Sequence, residues 1–299
     1  MSRLPSTSPS LQPPAFKHWL ALVALLSGGI TFFVAAKKSP AGTPASPVEP
    51  AAVPPGIAAT DAAQWHLVWH DEFDGTALDV TKWGYRYLGP RESSMIAKEC
   101  VSLDGQGHLL MTVFEKAGVL QNPMIGTQGK FAATYGIFAA RIKFPEPQGQ
   151  HGSFWMQPAV KSTEVSNPEL TGAEMDIIEW FGAGRPDGGT ASNLYWSGPS
   201  GAKEHHAGGT KPFGLLPEGE KLSDDFHVFA MEWSPEGYVF SVDGKVTYRI
   251  SEGVSHVPQY LILSLLTADW EKDRLDRTKL PTSMVVDWVR VWQKGSRRD

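Results

Sequence analysis

The chain has 299 residues, of which 41% are hydrophobic and 20% are charged, and its formal net charge is −5. This composition supports a substantial hydrophobic core, and the acidic balance leaves no basic footprint for nucleic acid. Cys100 is the single cysteine, which excludes an intrachain disulfide and a zinc cluster built from thiolates.

The N-terminal part of the chain does not read as globular sequence. Residues 1–18 carry Arg3 and Lys17 and no acid, and residues 19–36 form an uncharged, mostly apolar run. The run has the length of a spanning helix, about 17–25 residues, while Val34-Ala35-Ala36 resembles a cleavage site. We interpret residues 1–18 as a cytoplasmic segment and 19–36 as a signal peptide or a membrane anchor, and both interpretations export the rest of the chain.

A segment of different composition follows. Residues 37–60 are rich in Ala, Pro, Ser and Thr. Repeated prolines block helix and strand and favour an extended, solvated chain, so we predict a linker here. The remaining residues, 61–299, have the length of one large β domain.

Alternation of polar and apolar residues dominates from Trp65 onward. In residues 137–144 the apolar side chains alternate with basic ones, which is typical of a strand with one buried face. Residues 238–250 predict a hairpin about Asp243-Gly244, because Asp-Gly adopts the positive φ angles of a two-residue turn.

Two later stretches complete the pattern. Residues 261–266 form a continuous apolar run, as in a strand buried on both faces, and residues 284–292 predict a terminal strand rich in Val and Trp. Long amphipathic helical windows are absent from the sequence. The predicted fold class is therefore all-β, a curved antiparallel β-sandwich.

Three acids within six residues, Glu174, Asp176 and Glu179, are the main candidate site. On a helix Glu174 and Glu179 would point about 140° apart. On a regular strand Glu174 and Asp176 share a face, and Glu179 falls on the opposite one. One extra residue at Ile177-Ile178, a β-bulge, would bring all three to one face, and bulges are frequent beside active sites.

Crowded carboxylates suit glycoside hydrolysis. Mutual repulsion is expected to raise the pKa of at least one of the three acids, which suits a pair in which one carboxyl group attacks and another donates a proton. A solvated acidic strand face and a calcium site are the alternatives. Apolar neighbours on both sides of the acids count against the first, and the missing loop spacing counts against the second.

The acid motif resembles that of glycoside hydrolase family 16, the group of laminarinases, lichenases and agarases. Glu174-Met175-Asp176-Ile177-Ile178-Glu179 matches the longer, bulged form typical of laminarinases, agarases and carrageenases. Other stretches are similar to the family in the same order: Asp71-Glu72-Phe73, Tyr135–Arg141, Gly152–Met156, Phe226–Trp233, Val242-Asp243-Gly244 and Asp287–Val291. Ala139 and Ser264 depart from it, where many members carry Glu and Asn, which bears on substrate identity.

The resemblance implies a jelly-roll, concanavalin-like sandwich with a concave substrate cleft. It further implies Glu174 as the nucleophile, Asp176 as its assistant and Glu179 as the general acid/base, with no cofactor for catalysis. The implied activity is retaining, endo-acting hydrolysis of β-1,3-glucan or mixed β-1,3/1,4-glucan. Several members bind a structural calcium ion, and by likeness Gly107 and Asp287 would be its ligands here; Asp287 could equally be a buried acid satisfied by backbone donors.

Further residues are candidates for substrate binding. Arg141, which matches the family pattern, is one, and indole rings commonly stack on sugars. The four tryptophans considered for the cleft are Trp155, Trp196, Trp233 and Trp270, although core packing is as plausible for each. The pair His205-His206 is interpreted as part of a solvated loop.

Two other functions are compatible with the sequence. One is action on another polysaccharide such as a galactan, or transfer between glycans instead of hydrolysis. The other is a non-catalytic carbohydrate-binding sandwich, which would be expected to have lost one of the three acids. A polysaccharide is the expected partner, possible membrane contact is limited to residues 19–36, and the expected state is a monomer.

Overall fold

The computed structural model describes residue 53 and residues 57–59, 64–159, 167–197, 203–209 and 220–295, with only the backbone at 203–205. The predictions for residues 1–18 and 19–36 lie outside these ranges. Among the residues that are described, none of the helices has the length and apolar character needed to span a membrane.

Nearly all regular structure in the described part of the chain is β. The strands are β1 Trp65–Asp71, β2 Gly84–Tyr85, β3 Gly89–Arg91, β4 Ser94–Ile96, β5 Val101–Leu103, β6 Leu109–Lys116, β7 Val119–Asn122, β8 Met124–Gly126, β9 Gly136–Lys143, β10 His151–Pro158, β11 Glu174–Trp180, β12 Thr190–Ser197, β13 Lys203–Gly209, β14 His227–Ser234, β15 Gly237–Val242, β16 Lys245–Ile250, β17 Gln259–Leu266 and β18 Thr282–Lys294. One short helix, α1 Pro168–Thr171, precedes β11, and single 3-10 turns lie at Lys98–Cys100, Lys272–Arg274 and Arg277–Lys279.

The strands form two sheets. The first has the order β13-β12-β11-β10-β17-β8-β2, and we call it the catalytic-motif sheet because β11 carries the three acids. The second, the back sheet, has the order β16-β15-β14-β9-β18-β6-β7-β4-β3, with β1 on β18 and β5 on β6. Pairing is antiparallel except between β4 and β7. The fold is thus the jelly-roll sandwich that was expected.

The hydrophobic core lies between the sheets. Phe138, Ala140 and Ile142 of β9 face it, and Met175 of β11 meets them from the other sheet. All eight residues of β17 are buried, as the apolar run predicts. The turn between β15 and β16 also matches its prediction, because both Asp243 and Gly244 have positive φ angles, 48° and 76°.

The outer face of the back sheet carries a second apolar cluster. Ile137 and Trp288 are among its buried members, and Val53, Ile57 and Ala59 pack against it. These three residues lie in the segment 37–60 that was predicted to be a solvated linker. The prediction is wrong for them, because covering the apolar outer face removes hydrophobic area from water, at about 25 cal/mol per Å².

Candidate active site

The three acids lie on one face of β11 because the strand contains an extra residue. Asp176 pairs with Asn193 on β12, and the next pair is Glu179 with Ala191. Three steps along β11 therefore match two along β12, which is a β-bulge. The bulge at Ile177-Ile178 is confirmed, and both isoleucine side chains are buried in the core. The acids project from the opposite face, which we call the cleft face.

Glu174 lies at the start of β11, and Gln157 of β10 donates a hydrogen bond to it. The amide Nε2 of Gln157 is 3.0 Å from Oε2 of Glu174. The amide oxygen of Gln157 accepts two hydrogen bonds, from Arg86 Nη2 at 3.1 Å and from the Tyr260 hydroxyl at 3.0 Å. One oxygen of Glu174 is thus positioned by the Gln157 amide, whose own oxygen is held by Arg86 and Tyr260.

Glu179 has a different set of partners. Its Oε1 is hydrogen-bonded to His151 Nε2 at 2.7 Å, and its Oε2 accepts from Asn193 Nδ2 at 2.5 Å. Asn193 Oδ1 in turn accepts from His206 Nε2 at 2.7 Å. The Glu179 side chain is 12% exposed, so this carboxyl group is fixed in place and still open to the cleft.

Asp176 lies between the two glutamates on the cleft face and is 5% exposed. Its cross-strand neighbours are Trp155 on β10 and Asn193 on β12. Since neighbouring strands place paired residues on the same face, Asp176 is the central acid of the group.

Tyr195 of β12 reports on the charge of this cluster. It is the cross-strand partner of Glu174, and its ring stacks on His206 with centroids 4.7 Å apart. Burial, followed by the negative charges of Glu179, Asp176 and Glu174, raises the pKa of the Tyr195 phenol to about 12. The carboxylates therefore make this side of the cleft strongly unfavourable for a further negative charge.

Two of the four candidate tryptophans lie at the site. Trp155 is on the cleft face, where its indole Nε1 donates to Ser264 Oγ at 3.1 Å. The Trp270 ring is 61% exposed and packs edge-on against His151 and Phe181, with centroids 5.4 and 5.7 Å away. Because His151 contacts Glu179, Trp270 offers an aromatic surface beside that acid.

The other two tryptophans face the core. Trp233 is 1% exposed and belongs to the cluster between the sheets. Trp196 lies on the face of β12 opposite to Tyr195, and its ring is packed so closely on Gly253 that a Cβ there would lie 2.4 Å from it. Their assignment to substrate binding is wrong, because strand alternation turns both rings inward.

Arg141 also lies away from the cleft. It alternates with Ala140 and Ile142 of β9, which face the core, so its side chain projects from the outer face of the back sheet. There it forms an ion pair with Asp287, Nη1 to Oδ2 2.5 Å, and covers the Phe226 ring at 4.7 Å. The assignment of Arg141 to substrate binding is therefore wrong. Ala139 lies on the same outer face.

The Asp287 carboxylate does not fit the calcium site that the family suggests. It is bound by the Arg141 guanidinium, and His108 Nε2 lies 3.9 Å from its other oxygen. Gly107 lies beside the Asp74 carboxylate and the Glu72 carbonyl oxygen. Calcium takes six to eight oxygen ligands, and the guanidinium already paired with Asp287 would repel the ion.

Several residues of the site were missed from sequence. On β10 they are His151, Ser153 and Gln157, which alternate with core residues in the same way as Trp155. Counting every second residue from Trp155 would have found them. His206 was assigned to a solvated loop with His205. The backbone of both is in β13, and His206 lies on Asn193.

A sandwich that carries three acids on the cleft face of one sheet, two of them glutamates with separate polar partners, has the architecture of a glycoside hydrolase. The sequence profile of glycosyl hydrolases family 16 matches residues 94–290. The chain belongs to this family of glycoside hydrolases.

Relatives of known activity differ in their substrates. The chain is 25% identical to glucan endo-1,3-beta-glucosidase A1 of Niallia circulans, over 78% of this chain and 38% of that protein. It is 27% identical to the keratan-sulfate endo-1,4-beta-galactosidase of Sphingobacterium multivorum, over 93% of this chain and 67% of the relative. It is 28% identical to a beta-glucanase of Rhodothermus marinus, over 78% of this chain and 86% of that protein.

The solved structures agree with the fold. The endo-beta-1,3-glucanase of Pyrococcus furiosus has a TM-score of 0.63 and 26% identity to this chain, covering 82% of this chain and 100% of that one. The chain thus spans the whole of that glucanase structure but well under half of the Niallia circulans protein.

Proposed function

We propose that this chain hydrolyses β-1,3-glucan, or mixed β-1,3/1,4-glucan, internally and with retention of configuration. The observation that carries the proposal is the bulge in β11, which brings Glu174 and Glu179 to the same face of a cleft. Retaining glycosidases use two carboxyl groups in this way, one as the nucleophile and one as the acid/base.

The roles follow from the chemistry of double displacement. Glu174 attacks the anomeric carbon while the bond to the leaving oxygen breaks, and Glu179 gives its proton to that oxygen. A water molecule then attacks the same carbon, Glu179 takes its proton, and the bond to Glu174 breaks. Asp176, between the two on the strand, is assigned to assisting Glu174.

The polar partners of the glutamates support this division. The amide of Gln157 donates to Glu174, and an amide N–H favours an acceptor oxygen, as the nucleophile requires. Glu179 instead contacts His151, whose ring nitrogen can either give or accept a proton. A group that must gain and lose a proton in each cycle is served by such a partner.

The stereochemistry of the first product tests the mechanism. Proton NMR during early turnover of laminarin is expected to show the β-anomer first, with the α-anomer appearing later by mutarotation. An α-anomer as the first product would refute the retaining mechanism.

A second substrate class is favoured by one comparison. The keratan-sulfate endo-1,4-beta-galactosidase matches 93% of this chain, a larger share than the 78% matched by the two glucanases. Product time courses on laminarin, lichenan, agarose and keratan sulfate separate the two, with fastest release of oligosaccharides expected from laminarin or lichenan. Products longer than the substrate would indicate transfer, and turnover of any of them excludes a binding protein without activity.

We also propose that the domain acts outside the cytoplasm as a monomer. The support for export is the uncharged run 19–36 behind two basic residues, which keeps the positive end inside. Fractionation of cells that express the whole chain would find activity with the membrane if the run is retained, or in the medium after cleavage. Activity in the cytosol would contradict export, and light scattering gives the oligomeric state.

A further inference from the structure

The amide of Gln157 has only one orientation that satisfies its neighbours. Its oxygen faces Arg86 Nη2 at 3.1 Å and the Tyr260 hydroxyl at 3.0 Å. A guanidinium can only donate hydrogen bonds, so the group turned towards Arg86 must be the amide oxygen. The NH2 group of Gln157 is thereby turned towards Glu174, 3.0 Å away.

Arg86 is held in the floor of the cleft by aromatic rings. It is 5% exposed, and its guanidinium carbon lies 4.9 Å from the Tyr87 ring centre, 5.0 Å from Tyr260 and 5.8 Å from Trp155. Cation–π contacts of this kind offset part of the cost of burying a charge. Among the residues described, no carboxylate lies within ion-pair distance of Arg86.

The usual partner of a buried arginine is a carboxylate, and here its donors are used differently. Nε and Nη1 have no hydrogen-bond partner, and Nη2 contacts the Tyr87 hydroxyl and the Gln157 oxygen. A buried polar group that leaves donors unsatisfied is costly. A role in orienting the Gln157 amide would account for this costly burial of Arg86 beside the nucleophile.

We propose that Arg86 and Gln157 are positioning residues for the nucleophile: Arg86 fixes the amide orientation of Gln157, and Gln157 holds the attacking carboxylate of Glu174 in place. The inference rests on the proposed role of Glu174. The two residues act in sequence, because Arg86 affects Glu174 only through Gln157. When Arg86 is removed, the amide oxygen loses one of its two donors, so Gln157 and the NH2 group that binds Glu174 are held less firmly in place.

The first glycosylation step isolates this effect. With a dinitrophenyl 2-deoxy-2-fluoro-β-laminaribioside as the probe, the leaving group departs without a proton, so the rate of covalent labelling reports on Glu174 and not on Glu179. Gln157→Leu and Arg86→Met are each expected to slow labelling about 10- to 100-fold, the range for loss of a hydrogen bond to a charged group. The double variant is expected to label at the rate of Gln157→Leu alone.

Gln293→Leu is the matched control. It removes an amide on β18 of the back sheet that donates to the Thr134 and Tyr135 carbonyl oxygens, so labelling within about twofold of the unmodified protein is expected. Arg86→Lys, which keeps a donor, is expected to recover part of the rate that Arg86→Met loses. Thermal unfolding of each variant confirms that it is folded at the assay temperature.

The outcomes separate the inference from the proposed function. Labelling of Glu174→Gln at an undiminished rate would remove Glu174 as the nucleophile, and the inference with it. If Glu174→Gln is not labelled and Gln157→Leu reacts at the unmodified rate, the proposed function stands and the positioning role is overturned. Multiplicative losses in the double variant would also overturn it, because independent effects do not pass through one amide.

Discussion

Tyr195 lies directly across the ladder from Glu174, on the same face as all three acids. Burial and then the charges of Glu179, Asp176 and Glu174 raise the pKa of its phenol to about 12. The folded protein therefore holds this proton more tightly than the unfolded chain does. The neutral phenol contributes stability that is complete below the ordinary pKa of about 10 and is lost as the pH rises through about 12.

The titration of Tyr195 can thus report on the acids. In the difference between the alkaline absorbance titrations of the unmodified protein and of Tyr195→Phe, we expect one phenol with a pKa of about 12. Glu179→Gln is expected to lower that pKa, because among the three carboxylates Glu179 has the largest effect on the Tyr195 phenol. Glu232→Gln, on the outer face of the back sheet, serves as the control. An unchanged Tyr195 pKa in Glu179→Gln would contradict the geometry of the cluster.

Removal of either glutamate is expected to abolish most turnover while binding survives. Glu179→Gln should lower kcat about 10²- to 10⁴-fold, the range for a general acid/base, and Glu174→Gln should lower it by at least as much. Steady-state kinetics and calorimetry with an uncleaved oligosaccharide give the two quantities. Glu115→Gln, on the back sheet, is expected to be unchanged. Near-normal hydrolysis by either variant would contradict the catalytic role assigned to that glutamate.

Azide distinguishes the two glutamates. In Glu174→Gly, azide can take the place of the nucleophile and is expected to yield an α-glycosyl azide. In Glu179→Gly, azide attacks the covalent intermediate on Glu174, so a β-glycosyl azide is expected. Proton NMR of the isolated product reads the configuration, and the reverse pattern would exchange the roles of the two residues.

The exposed tryptophan beside the acids and the tryptophan in the core are expected to behave in opposite ways. Trp270→Ala removes an exposed ring beside His151 and should raise KM for the polysaccharide with little effect on the free energy of unfolding. Trp233→Ala empties a core position and should lower that free energy by about 3–5 kcal/mol. Denaturant titration and kinetics of both variants test the contrast. A stable Trp233→Ala protein with raised KM would place that ring in the cleft after all.

Calcium is expected to have no effect on stability. The Asp287 carboxylate is engaged by Arg141, so neither a chelator nor added calcium should shift the thermal unfolding temperature. Arg141→Met is the informative comparison, because it leaves Asp287 without its cation and is expected to be destabilised in either condition. A calcium-dependent rise in the unfolding temperature of the unmodified protein would show that the pair opens to admit the ion.

The two-residue period of side chains on a β-strand explains which parts of the site could be predicted. The spacing of Glu174 and Glu179 requires a bulge if they are to share a face, and that deduction needs only the period of a strand. The same period would have placed Gln157 with Trp155, but only once Trp155 was known to face the cleft. The alternation of β14 also places Trp233 with Phe229 and Met231 on the core face, so that ring was misplaced although its strand carried the signal.

Other parts of the site depend on pairings that no local pattern encodes. Arg86 reaches Gln157 across 71 positions of the chain, and His151 reaches Glu179 across 28. Which strands become neighbours, and in what register, is decided by the packing of the whole sandwich. Arg141 was misplaced for a similar reason, because the likeness of its stretch to the family carries no information on the direction of the side chain.

The bulge in β11 also affects how this enzyme can change. Exchange of Ile177 or Ile178 for another apolar residue of similar volume keeps the count between the two glutamates and is expected to be tolerated. Loss or gain of one codon between positions 174 and 179 alters that count and turns one glutamate away from the other. In a mutational library, this segment should therefore accept many substitutions and almost no insertions or deletions, so its length is under stricter selection than its composition.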